Sequence, residues 1–345
     1  MYLPDVLVDS LLRTIRKRGI ACRRIVLAVF VLGFVLPARA ADRTPSPRFE
    51  RLRAQESRLA GVAYRLAVSS GGACRESATP QSGIVLHDIA HYGPADREAA
   101  AYSYGLDGDA SILAVVAGSP ADRAGLEADD RLVSINGRAP RVADATSETA
   151  RILAERSLET ELRKGPVTLR VARRGVEREV RFAAEFGCPS NVALVPGNDV
   201  NAFADGARVT VTDAILAQCD SDADLALIVA HELAHNLLHH RQRLAGVSGN
   251  GMLPVSAAGS ARIRATEEEA DRFAVGMMRA AGYDLGEAPA FLQRLLEANG
   301  LAVRAAASHP AMARRLALLR AAIAGGGYSA GIANTARSGF DSGRM

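Results

Sequence analysis

No run of 18 apolar residues occurs in these 345 residues, which argues against a membrane-spanning helix. Internal repeats are absent too, and with 48% hydrophobic and 23% charged residues the composition excludes a largely disordered, collagen-like or coiled-coil chain. A basic excess is missing once position is considered. Seven of the 42 basic residues and two of the 38 acidic ones fall in the first forty positions, which leaves 35 against 36, a net −1 for the remainder. That balance argues against nucleic acid as a partner, despite the formal charge of +4 on the whole chain. The length suits about two domains of roughly 150 residues each.

The first forty residues have the layout of a secretory signal. A basic stretch ends at Arg23-Arg24, an apolar core runs from Ile25 to Leu36, and Pro37 precedes Ala38-Arg39-Ala40. Twelve residues at a rise of 1.5 Å give about 18 Å, short of the roughly 30 Å hydrocarbon core. Cleavage is expected after Ala40, with membrane contact expected only through this segment before cleavage and a periplasmic or secreted product after it. Cys22 precedes the apolar core, which does not fit a lipoprotein. The exported chain keeps Cys74, Cys188 and Cys219, so at most one internal disulfide can form; Cys188, at a domain junction, is the expected member.

Residues 41–105 open with a Pro/Arg-rich linker, followed by a predicted helix over about 50–68 and an apolar run over 84–89. His87 and His91 share a four-residue spacing, but an extended run near a turn does not converge two such side chains as a helix does. A structural role is expected for both. From about residue 106 the pattern changes to short strands and turns. Ser111–Val116 and Arg131–Ile135 read as strands, Pro120 and Gly125 bracket a short helix, a further helix is predicted over 147–157, and a hairpin follows around Arg174-Gly175.

The string GSPADRAGLEADDRLVSINGR resembles PDZ domains of bacterial envelope proteases. That resemblance implies a PDZ domain over 106–186 that binds extended peptide segments or C-termini by strand addition. The groove is expected between the 111–116 strand and the 147–157 helix, with Gly105 and Gly108 as candidates for the carboxylate-binding loop. A PDZ fold kept as a spacer is the alternative. Residues 187–325 then read as mainly helical after a short strand region, and the Gly/Ser-rich tail 326–345 as disordered. The expected class is α+β, a small β-rich domain followed by a helical one.

The chemistry lies in the second half. Ser221 or Asp222 can cap a helix that carries His231-Glu232-Leu-Ala-His235 through apolar surroundings. Chance gives about 0.007 such matches at this chain's His and Glu frequencies, so the spacing is informative. One helical turn apart, both imidazoles can reach one Zn²⁺, and Glu232 beside them can take a proton from metal-bound water. A second predicted helix starts with Thr266-Glu-Glu-Glu-Ala-Asp. Its apolar stripe puts Glu267 and Asp271 on the core side, so Glu267 is the expected third ligand and Asp271 the partner that fixes a ligand imidazole.

HELAHN followed by EEEADRFA resembles the zinc metallopeptidase family that includes the heat-shock membrane protease HtpX, CAAX prenyl proteases and the outer-membrane-assembly protease BepA. The resemblance implies a gluzincin-like fold, one zinc per chain on His231, His235 and Glu267, and Glu232 as catalytic base. Asn201, Ala202 and Phe203 resemble the family's edge strand along the substrate cleft. Ser308-His309-Pro310 resembles its late His-Pro motif, in which His309 would steady the oxyanion or block the open metal position, with Arg315 as a supporting basic residue. His239 and His240 read as solvated or supporting, and the stretch 246–259 as a lid or a plain surface loop. The implied activity is an exported endopeptidase acting on peptide and protein substrates, misfolded envelope proteins among them, with an adaptor that holds clients without cutting, or a protease that is latent at rest, as the alternatives.

Overall fold

The computed structural model describes residues 46–140, 149–245, 257–299 and 312–325. The signal segment, the tail, His309 and most of 246–259 therefore lie outside the described residues. Among the described ones, strands and helices combine in an α+β arrangement, and no helix is long and apolar enough to cross a membrane.

Helix α1 (Pro47–Ser69) begins with proline at its first turn, where the missing N–H costs nothing. Its stripe of Leu59, Val62, Ala63 and Leu66 is buried in the same core as the downstream helices. Region 41–105 is thus more than a linker. An apolar helical face must be covered, and the cover here comes from over a hundred residues away. The segment after α1 is tied back by Cys74–Cys188, a disulfide spanning 114 residues, while Cys219 is free and buried. Gly187 allows the approach: a Cβ there would lie 2.6 Å from the Ala67 carbonyl oxygen.

Strand β1 (Thr79–Gln81) pairs with β7 (Glu185–Gly187). A five-stranded antiparallel sheet runs in the order β2 (Ile84–His87), β3 (Ser111–Val115), β4 (Arg131–Ile135), β5 (Val167–Arg173), β6 (Val176–Phe182). The outermost strand comes from upstream of residue 106, so the sheet extends beyond the expected 106–186. After α1, a short helix α2 (Arg97–Tyr104) lies between β2 and β3. Helix α3 (Ala150–Lys164) is capped by the Thr149 side chain and ends at Gly165. It buries Ala154, Leu158 and Leu162 against Ile135, Val167 and Leu169 of the sheet.

The remaining part has a three-stranded sheet in the order β8 (Val192–Val195), β10 (Val209–Thr212), β9 (Ala202–Ala204), with β8 parallel and β9 antiparallel to β10. Against it pack α4 (Asp222–Leu237), α5 (Ala257–Ala280), α6 (Ala288–Ala298) and α7 (Met312–Ala324), sharing one core through Leu225, Val229, Phe273, Met278, Phe291 and Leu319.

Candidate metal centre and active site

Helix α4 starts with a reciprocal capping box, Ser221 with Asp224, which satisfies two of its orphan amides. Nine of its residues, His231 among them, are buried, so the helix is fixed in rotation and its polar side chains point where packing leaves room. Helix α5 lies alongside. Glu267 and Asp271, 8% and 3% exposed, face α4 because they share the side of Ala270, Phe273 and Ala274.

The result is a tight group. His231 Nε2 is 3.1 Å from His235 Nε2, and Glu267 lies 3.5 Å from the first and 3.6 Å from the second. A tetrahedral ion bound at about 2.1 Å needs ligand atoms about 3.4 Å apart. Two imidazoles and one carboxylate at these separations therefore fit zinc.

Asp271 Oδ1 accepts from His231 Nδ1 at 2.9 Å and so leaves Nε2 to face the centre. Arg315, on α7, donates twice to Asp271, both at 2.8 Å. Burial alone would raise both carboxyls. It is outweighed at Asp271 by Arg315, and at Glu267 by the bond from His231, which holds that group at about 2. His231 is pulled down by burial and Arg315 but held up near 10 by its bonds to Asp271 and Glu267. Burial pushes Glu232 up to about 7 despite the pull of His231 and a backbone bond from Ala204.

Ala204 ends β9, the outer strand of its sheet. Asn201 stands just before this strand, Ala202 begins it, and Phe203 is 47% exposed. The turn after β9 is pinned to α4: Asn236 Oδ1 accepts the Gly206 N–H at 2.7 Å. Among the described residues, the outer edge of β9 is unpaired and runs beside Glu232. His309 lies outside the described residues.

The sequence left His240 undecided, and the structure gives it a place. Its Nδ1 is 3.0 Å from His235 Nδ1 and its Nε2 is 3.3 Å from Glu269 Oε2. Helical periodicity does not bring residues five apart together. His239 breaks the helix in a left-handed conformation, φ 55°, and folds His240 back. His87 and His91 form no metal site: buried His87 bonds Tyr92 at 2.7 Å, and His91 stands 3.6 Å from Glu56.

The expected peptide groove needs correction. Strand β3 is flanked on both sides, by β2 and β4, so it has no edge to offer along a groove. Gly105 caps α2 and, with Gly108, leads into that interior strand. β2 is an outer strand of this sheet, as β6 is on the other side, and a cavity of about 600 Å³ lies between β2 and α3. The loop entering this groove is Gln81-Ser82-Gly83, with Gly83 at φ 80° and a Cβ position only 2.2 Å from the Ser119 side chain.

Residues 111–164 match the PDZ domain family, and residues 172–260 match peptidase family M48. The chain is 30% identical over 150 residues to the beta-barrel assembly-enhancing protease of Yersinia pestis and 28% identical to that of Escherichia coli K12. Each alignment covers 35% of this chain and 31% of the relative, so the chain spans under a third of the length of these relatives.

Proposed function

Because the chain carries a PDZ domain and a peptidase family M48 domain, we propose that it is an exported zinc-dependent endopeptidase of envelope proteins, with its PDZ domain selecting extended segments. The observation that carries this reading is the triad of His231, His235 and Glu267 at 3.1 to 3.6 Å with Glu232 beside it. Zinc, when bound there, supplies a Lewis acid for the scissile carbonyl and a lowered pKa for water.

The residues of the chain do the rest. The edge of β9 pairs with an extended substrate and sets the scissile bond against α4. Glu232 takes a proton from the attacking water and delivers it to the leaving amine. The Ala204 N–H, bonded to Glu232, ties the position of that base to the strand that aligns the substrate. Asp271 and Arg315 hold His231 in one tautomer. Assignment to the periplasm rests on the signal-like segment; processing of misassembled envelope proteins extends the same reading from relatives named for beta-barrel assembly.

The test is cleavage of casein by the zinc-loaded chain, with Glu232→Gln as the blank. Cutting that disappears in the variant, with zinc content unchanged, supports the reading. Absence of cutting by a chain that binds zinc stoichiometrically overturns constitutive activity in favour of a client-holding adaptor or a protease latent at rest.

A further inference from the structure

The groove beside β2 is not built by the PDZ part alone. One wall is β2 and another is α3, where Ile152 and Leu158 face the space; a third is contributed by α1 and by residues 189–193 of the peptidase part. Arg208, which immediately precedes β10, also lines it. The two parts are fastened together at this end by Cys74–Cys188 and by the Gln81 side chain, which bonds the Cys188 carbonyl at 3.2 Å and Ser190 Oγ at 3.0 Å.

Direction follows from the strand. An extended peptide that adds antiparallel to β2, the more stable pairing per residue, places its C-terminus at the Ile84 end, over Ser82 and Gly83. Arg208 stands at that same end. Gln81 is held to Ser190, and Val209 N–H donates to the Asn191 carbonyl at 2.8 Å, which puts Arg208 next to the 81–83 loop. Arg208 is exposed, and among the described residues its charge acts on Asp205, three residues earlier in the chain, without a close ion pair. Arg151, another cation of the groove, is already paired with Glu155 at 2.8 Å. Leu59 and Ala63 lie opposite Ile152 and Leu158 as an apolar strip within a lining that also carries Glu56, Glu155, Arg156 and Glu159, and the volume lies in the range of specific ligand sites.

We propose that this groove is a composite site for the free C-terminal end of an extended apolar peptide, in which Arg208 of the peptidase part supplies the counter-charge for the terminal carboxylate. The inference rests on the PDZ reading and deepens it. Binding then requires both parts of the chain and distinguishes a terminal carboxylate from an internal segment.

The experiment uses the full chain and two fluorescein-labelled octapeptide libraries, one with free C-terminal carboxylates and one C-terminally amidated, read by fluorescence polarisation. The expected result is preference for the free-acid library, a roughly three- to ten-fold weakening of that binding in Arg208→Ala, and retention in Arg208→Lys. The amidated library should not respond to either change. Ile152→Asp, which puts a charge into the groove, should abolish both. If wild type and Arg208→Ala bind the two libraries alike while Ile152→Asp binds neither, the role of Arg208 is overturned and the PDZ reading stands. If wild type binds neither library, both are overturned.

Discussion

His240 Nδ1 lies 3.0 Å from His235 Nδ1 and, through its other nitrogen, 3.3 Å from Glu269. The relationship orders a side chain from outside the metal group. With His235 donating from Nδ1 and His240 donating from Nε2, the carboxylate orients the outer ring and the outer ring orients the inner one.

His240→Ala should therefore weaken zinc binding about ten- to a hundred-fold without unfolding α4. Competition against a chromogenic chelator measures it. Unchanged affinity would mean that His235 is oriented by packing alone. Glu269→Gln should have a smaller effect in the same direction, since Gln still accepts from His240.

Asp271 and Arg315 form a buried, doubly hydrogen-bonded pair beside His231. Arg315→Met leaves Asp271 without its main counter-charge and should cost about 3–5 kcal/mol in urea unfolding of the metal-free chain. Asp271→Asn with Arg315→Met together should recover part of this, because neither variant side chain carries a charge. A double variant as unstable as the sum of the single ones would rule out coupling.

His87 gives a pH dependence far from the metal group. It is buried among Tyr92 and Tyr104, shares a hydrogen bond between its Nδ1 and the Tyr92 hydroxyl, and has an Nε2 without a partner. Burial holds it down at about 3, with His91 and Arg53 adding to the shift and Asp88 opposing it. The unfolded chain therefore binds a proton that the folded chain does not. Stability contributed by neutral His87 is present above about pH 6.5 and is lost as pH falls from there towards 3. The limit is about 4–5 kcal/mol. His87→Phe should flatten the stability profile over this window relative to wild type; parallel profiles would refute the assignment.

The Cys74–Cys188 bridge joins residues 114 apart. Replacing both with serine should lower stability by about 2–5 kcal/mol, and reduction of the wild-type chain should approach the same value. Cys219, buried and pushed up to about 12 by burial, should resist alkylation until the chain unfolds.

The chemistry was legible because it is local. His231, Glu232 and His235 are placed by one helical turn, and Glu267 and Asp271 by one turn of another helix whose apolar stripe sets its orientation. His240 was not legible, since its contact depends on His239 leaving the helix at a left-handed φ that a histidine seldom adopts. The peptide groove was misplaced for a related reason. Which strand is outermost depends on 84–87 pairing with 111–115, and nothing in either segment records that the other is its neighbour.

Periodicity, capping residues and motif spacing in the sequence by themselves place His231, Glu232 and His235 on one helix and Glu267 and Asp271 on the core side of another. They act over a few residues, where backbone geometry is nearly fixed. Only the tertiary structure decided that α1 closes the peptidase core, that Cys74 pairs with Cys188, that β2 is an outer strand and that Arg208 stands beside it. Those outcomes depend on burying apolar faces against partners distant in the chain, a choice made by the whole packed core.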